Sequence, residues 1–225
     1  MINIEKATKY EINASKKFMK ENLKDYYSNL QNQKQNKERY LHPLAIKEFF
    51  ENSVAKWNSL ANHISDKTCL EIGSGPAGHI IGFYWAKRRI IIDPLVLEYK
   101  RMSLKLFKRT WFTDDLELYA KKADENIPEL ENLIDGVIIC RNALDHCEYP
   151  YKILDNIAKY AKKGCYLLLW TDLYHLTGHN EGHCNITQDK SAFRSYIVNL
   201  GFRIVSEYTD KERLTINFGC TAIKE

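Results

Sequence analysis

A chain of 225 residues with 44% apolar and 12% aromatic residues against 28% charged ones has material for one sizeable α/β core with an added segment, and no run apolar enough to span a bilayer. Its formal charge of +4 comes from 33 basic and 29 acidic residues spread along the chain, which excludes a field of nucleic-acid-binding strength. The opening stretch MINIEKATKYEINASKK has no apolar leader core and carries acids, so a cytoplasmic protein without a targeting segment is expected.

The N-terminal third reads as helical. Phe18, Met19, Leu23, Tyr26, Tyr27 and Leu30 recur at helical spacing, and the polar tract QNQKQNKE that follows reads as a linker or helix end. Pro43 suits the first turn of a helix whose apolar face is Leu44, Ile46, Phe49, Phe50, Val54, Trp57, Leu60 and Ile64. Residues 1–66 are therefore expected as a helical extension, a lid or substrate-binding element, ahead of a domain over 67–225. Tyr26, Tyr27, Tyr40 and His42 are candidates for gripping substrate there, although packing is the commoner role of such residues. The apolar residues of these helices also suit a homodimer face.

From residue 68 strands and helices alternate. Thr68 to Ile72 reads as a buried strand, Gly73 to Gly75 as a loop, and Pro76 as the first residue of a helix that runs to Lys87, Arg88 and Arg89, cations suited to a helix C-terminus. A second strand, Arg89 to Ile92, ends at Asp93, and a helix follows near Leu95 to Lys108 whose basic residues form a solvated face. Further strands are expected at Leu116 to Tyr119, Gly136 to Cys140 and Cys165 to Trp170, with a helix opened by Pro150 and stopped at Gly164. A helix marked by Phe193, Tyr196, Ile197 and Leu200 is capped by Gly201, and Phe202 to Tyr208 with Leu214 to Ala222 read as a hairpin. This alternation predicts an α/β, Rossmann-like, seven-stranded and mostly parallel sheet with helices on both faces and an antiparallel hairpin at the C-terminal edge. Six cysteines without a C-x-x-C pair predict free thiols.

The stretch CLEIGSGPAGHI places Gly73, Gly75 and Gly78 in the order G-x-G-x-x-G where a strand turns out of the sheet. A Cβ there would block the turn and the close approach of backbone N–H groups to a ligand. Asp93, twenty residues after Gly73 and at the end of the next strand, can accept two ribose hydroxyls. Either a dinucleotide or S-adenosylmethionine satisfies this much.

The run Glu71-Ile72-Gly73-Ser74-Gly75 resembles the first motif of the class I S-adenosylmethionine-dependent methyltransferases, and the resemblance extends from about Thr68 to Phe202. It implies that Glu71 orders the loop of Gly73, Ser74 and Gly75 around the amino-acid end of the cofactor. IIIDPL is similar to the second motif, with Asp93 on the ribose and Leu95 against the adenine. IDGVIICRNALDHCEYPYKIL resembles the fourth-strand segment, with Asp135 before the strand and Asn142, Leu144 and His146 after it, Asn142 being assigned to the cofactor. KKADENIP offers Asp124 or Glu125 for the adenine amino group, of which Asp124 is chosen. Ala77 departs from a position that is often glycine.

Methyl transfer to an oxygen or nitrogen of high pKa needs a base, and His146 is the first candidate with Asp145 second. A histidine early in a helix is more often a capping or packing residue. His175, His179 and His183 are spaced by four, but Gly178 and Gly182 oppose the continuous helix that would align them as ligands. The segment Tyr174 to Asn185 is therefore read as a polar substrate loop after the fifth strand, and no metal is assigned. Asn142-Ala143-Leu144-Asp145 lacks the Pro-Pro-aromatic platform for a flipped base, so a small molecule or glycan intermediate is expected rather than nucleic acid, and no membrane partner. Two alternatives stand beside this reading: a non-catalytic module that binds S-adenosylmethionine or a partner, and an NAD-dependent oxidoreductase, which leaves Glu71 unexplained.

Overall fold

A computed structural model describes residues 8–21, 54–175, 183–209 and 215–225. The α-helices among these described residues are α1 over residues 8–21, α2 (Val54–Ile64), α3 (Val96–Phe107), α4 (Pro150–Tyr160) and α5 (Lys190–Asn199). The strands are β1 (Thr68–Ile72), β2 (Arg88–Ile92), β3 (Leu116–Tyr119), β4 (Val137–Arg141), β5 (Tyr166–His175), β6 (Phe202–Tyr208) and β7 (Thr215–Lys224). They form one seven-stranded sheet in the order β3-β2-β1-β4-β5-β7-β6. β3 through β5 pair in parallel, and β7 is antiparallel to both β5 and β6. The expected hairpin is present, but its reversed strand is not the edge: β7 lies between β5 and β6.

Alternation along the strands divides the core into two layers. Leu70, Ile72, Ile90, Ile92, Ile138, Cys140, Leu167 and Leu169 pack with Ile153, Leu154, Ile157, Phe193 and Ile197 of α4 and α5. Cys69, Ile91, Val137, Ile139, Leu168 and Trp170 turn to the other face and meet Leu60, Ala61 and Ile64 of α2, Val96 and Tyr99 of α3, and Met19 of α1. Helices thus cover both faces. Each of these buried aliphatic side chains contributes about 1.5–3 kcal/mol relative to exposure, which lets the fold carry a few buried acids at one end of the sheet.

Local signals place the helix ends. Pro150 occupies the first turn of α4, where its missing N–H costs nothing, and Asp189 caps α5 by accepting from the Ala192 N–H at 2.9 Å. Lys108 closes α3 in the left-handed region at φ 58°. The six cysteines are free thiols. Of the expected N-terminal faces, Met19, Leu60 and Ile64 are buried while Phe18 is exposed. Leu23, Tyr26, Tyr27, Leu30, Tyr40, His42, Pro43, Leu44, Ile46, Phe49 and Phe50 lie outside the described residues. No helix among the described residues is long and apolar enough to cross a membrane.

The helix expected from Pro76 to Lys87, Arg88 and Arg89 does not form, and Arg88 and Arg89 instead open β2. Two single 3₁₀ turns, Gly75–Ala77 and Ile80–Gly82, stand in its place, separated by Gly78 in an extended conformation. The reason lies in the backbone donors: the N–H groups of His79 and Ile80 bond to the carboxylate of Glu71 at 3.0 and 2.9 Å instead of to carbonyls one turn back. Ile80, Ile81 and Phe83 are all buried, a burial pattern that a one-sided helix does not give.

Candidate active site

The strand order changes direction between β1 and β4, and the loops leaving their C-terminal ends open a crevice there. Gly73 makes that crevice possible. Its φ is +69°, and a Cβ built on it would stand 2.3 Å from the Cβ of Ala143 in the loop after β4. Gly73→Ala is expected to cost about 2–5 kcal/mol, from a left-handed backbone and from overpacking together. At this chain length that lowers the unfolding temperature by roughly 5–15 °C. Gly75, at φ +56° with nothing within 4 Å of a built Cβ, should lose only about 1–2 kcal/mol as Ala, so thermal unfolding of the two variants separates contact from backbone strain.

Glu71, 2% exposed, is tied behind this loop by the His79 and Ile80 N–H groups. A Cβ at Gly78 would approach its Oε2 to 2.8 Å, so the third glycine of the motif leaves room for the carboxylate. Burial raises Glu71 to about 7, and the two N–H bonds and the charge of Arg141 only partly offset it. The loop is braced from outside by the Trp111 indole, whose Nε1–H donates to the Pro76 carbonyl at 2.8 Å. Ser74 is buried and donates to the Gly75 carbonyl at 3.0 Å.

Asp93 follows β2. Its Oδ2 accepts from the Gly75 N–H at 3.0 Å and its Oδ1 from the Leu95 N–H at 2.8 Å, which leaves each oxygen a second acceptor site. Burial raises it to about 6 despite those bonds. Leu95 is half-buried at the start of α3. Asn142 follows β4 with φ 50°, and its Oδ1 is buried without a hydrogen-bond partner. Asp124 is half-buried after β3, and its charge reaches Cys147 and Tyr149 at the start of α4. Glu11 of α1 is close enough to act on Asp93, Tyr99 and His183, which puts α1 beside the mouth of the crevice.

This set fits S-adenosylmethionine, the cofactor that the resemblance implies. The orphaned Asn142 Oδ1 is a buried acceptor awaiting a donor, Asp93 is a fixed carboxylate with an acceptor site left on each oxygen, and the loop of Gly73 to Gly75 brings backbone close to both. Glu71, Asp93 and Glu11 make the crevice acidic, which opposes a pyrophosphate and suits a ligand with a positive ammonium and sulfonium.

A second cluster gathers around Asp145, which is fully buried in the 3₁₀ turn Leu144–His146 after β4. Its Oδ2 lies 2.7 Å from His183 Nδ1 and 3.9 Å from both His146 Nε2 and His175 Nε2, while Thr171 of β5 donates to its Oδ1 at 3.2 Å. Burial pushes Asp145 up, but the bond from His183 and the charges of His146 and His183 outweigh it and hold the carboxyl below its ordinary value. His183 is raised by the same bond. The segment carrying His183 is pinned across the site: the Cys184 N–H donates to the Asp145 carbonyl at 2.6 Å, and the Ile186 and Thr187 N–H groups donate to the Leu173 carbonyl at 2.8 and 3.1 Å.

The structure therefore brings His146, Asp145, His175 and His183 together around one carboxylate. Tyr174 and His175 belong to β5 rather than to a loop after it, a correction that follows from their pairing with Ile216 and Thr215 of β7. His179 lies outside the described residues. Thr171 and Trp111 were missed. Thr171 is one of several polar residues near the end of an apolar strand, which is a weak signal, and Trp111 had none that pointed to Pro76.

No family model matches the chain, and no curated protein matches it. Solved structures do match. NodS, an N-methyltransferase from Bradyrhizobium japonicum in complex with S-adenosylhomocysteine, is 15% identical, with 76% of this chain and 86% of that one covered at a TM-score of 0.53. SpnF, a [4+2]-cyclase, is 11% identical over 74% of this chain and 78% of its own, at 0.56. A 16S rRNA adenine N(1)-methyltransferase from Catenulisporales acidiphilia is 10% identical over 75% and 90%, at 0.52. The likeness is one of fold.

Proposed function

We propose that this chain, which has the fold of the class I S-adenosylmethionine-dependent methyltransferases, is itself such an enzyme and methylates an oxygen or nitrogen of a small molecule or glycan intermediate. The observation that carries the reading is Glu71, a buried acid bonded to two backbone N–H groups directly behind the glycine loop. A carboxylate there favours a cationic cofactor and works against a pyrophosphate.

S-adenosylmethionine, when bound, supplies a methyl group on a sulfonium that is already a good leaving group. The residues have the remaining tasks. Gly73, Ser74, Gly75 and Asn142 hold the amino-acid end, Asp93 accepts the ribose hydroxyls, Leu95 packs on the adenine and Asp124 accepts from its amino group. Alignment of acceptor and methyl carbon can supply about 7–11 kcal/mol, so positioning outweighs any other contribution. His146 Nε2, on a side chain 27% exposed, takes the proton that the acceptor loses, and Asp145 beside it stabilises the imidazolium. Helix α1, whose Glu11 acts on both Asp93 and His183, helps to exclude water from the acceptor. A small acceptor is favoured over a nucleic-acid base because the segment after β4 carries Ala143 and Leu144 where a stacking platform would be needed.

Calorimetric titration of the purified chain with S-adenosylhomocysteine and, separately, with NADH tests the reading. Micromolar binding of the first and none of the second is expected. Binding of NADH alone would replace this proposal with an oxidoreductase, and binding of neither would remove the cofactor from it.

A further inference from the structure

We propose that Asp145, His175 and His183 form a binding site for a single first-row transition-metal dication of the Zn²⁺ type. One donor atom from each residue lies within 4.8 Å of the others, and the three come from separate parts of the chain: the turn after β4, the end of β5 and the segment that returns across it. The backbone bonds of Cys184 and Ile186 hold that return segment against Asp145 and Leu173.

His175 is the independent observation. Its side chain is 5% exposed, it faces the Asp145 carboxylate, and its buried Nε2 has no hydrogen-bond partner. Buried polar atoms are nearly always paired, so an imidazole nitrogen held open beside a buried carboxylate is a donor awaiting an acceptor of its electron pair. Asp145 is oriented from behind by the Thr171 hydroxyl, an outer partner of the kind that fixes ligating carboxylates.

Donor chemistry narrows the ion. Two imidazoles and one carboxylate are too nitrogen-rich for Ca²⁺ or Mg²⁺, and there is no thiolate among them to favour Cu(I) or an iron–sulfur cluster. Three protein ligands leave a coordination position open. Metal–ligand bonds of about 2.0–2.1 Å set tetrahedral donors about 3.3 Å apart. Against that spacing the His183–Asp145 distance of 2.7 Å and the His175–Asp145 distance of 3.9 Å each differ by about 0.6 Å, and the two imidazole nitrogens, within 4.8 Å of each other, close on the ion by side-chain rotation. Sequence spacing did not disclose this arrangement, because the third ligand is Asp145 rather than a histidine four residues away. Binding of the ion is independent of the methyl-transfer reading. Where that reading holds and the acceptor is a hydroxyl, a metal beside it lowers its pKa and eases loss of the proton to His146.

The test is a titration of the tag-free, chelator-stripped full chain with ZnCl₂ by calorimetry, and with CoCl₂ by visible absorption. One saturable equivalent of Zn²⁺ is expected, with Co²⁺ d–d bands that one equivalent of Zn²⁺ displaces. His175→Ala and His183→Ala should each weaken Zn²⁺ binding by at least about 100-fold. Wild-type protein that gives neither saturable Zn²⁺ binding nor d–d bands would overturn the site, as would folded variants that bind like wild type. If the variants fail to fold, the wild-type Co²⁺ spectrum decides alone. Titration of the same samples with S-adenosylhomocysteine separates the two proposals, since loss of one binding event with retention of the other sinks only the one lost.

Discussion

Asp93→Ala is expected to weaken S-adenosylhomocysteine binding by at least about 100-fold. A hydrogen bond to a charged acceptor contributes about 1.5–3 kcal/mol, and Asp93 offers a free acceptor site on each oxygen for the two ribose hydroxyls. Even the lower bound for two such bonds, about 3 kcal/mol, exceeds a hundredfold change. Unchanged affinity in the folded variant would mean that the ligand does not reach the end of β2.

The same carboxylate gives the binding a pH dependence of defined sign. Because burial raises Asp93 to about 6 in the free protein, its proton must leave before it can accept both hydroxyls. Affinity should therefore fall as pH drops through about 6, approaching tenfold per unit, and Asp93→Ala should abolish that slope. Stability of the ligand-free chain runs the other way. Between the ordinary carboxylate range and the raised values of about 6 for Asp93 and about 7 for Glu71, the folded state binds more protons than the unfolded one. Unfolding temperature should then rise as pH is lowered from about 7 toward 5. His183 adds to this trend, because its folded-state value is raised and its contribution is present in acid and lost as pH rises. The lowered Asp145 acts only below its ordinary range, where its contribution is lost. Opposite pH slopes for stability and affinity are the signature to measure.

His146→Ala should lower single-turnover methyl transfer by about 10²–10⁴-fold, the range for removal of a positioned general base. The readout is the rate with a labelled methyl group and an acceptor found by screening hydroxyl- and amine-bearing small molecules. S-adenosylhomocysteine affinity should stay within a few-fold, because His146 belongs to the Asp145 cluster and none of its contacts is to Glu71 or Asp93. An undiminished rate would remove His146 as the base and leave the cofactor reading intact. The comparison structures make such separation necessary, since one fold hosts an N-methyltransferase and a [4+2]-cyclase.

Most of the sheet was legible in the amino acids alone. Runs such as Thr68–Ile72 and Val137–Arg141 are nearly continuous apolar segments bounded by turn residues, and β3 matches its expected span at Leu116–Tyr119. Pro150 and Gly201 mark real boundaries because proline lacks an N–H and glycine tolerates positive φ at no steric cost. Gly73 and Asp93 could be proposed for one crevice from order and spacing, because each follows the end of a strand, whereas Asn142 came only from the resemblance of the fourth-strand segment to the methyltransferases.

Tertiary structure decided what periodicity cannot encode. The segment after the glycine loop has Pro76 where a helix might begin, yet Glu71 captures the backbone donors that helix would need, and the competition is visible only when β1 and residues 79–80 meet in space. The side chains that surround Asp145 depend on a register shift at Leu173, between Asp172 and Tyr174, which resets alternation along β5 and has no signature in its apolar run. His183 reaches Asp145 across 38 residues of chain through backbone bonds that belong to no helix or strand pattern. Local sequence dictates strands, turns and caps because those depend on neighbours along the chain, whereas the Asp145 cluster depends on donors and acceptors that only the folded sheet brings within reach.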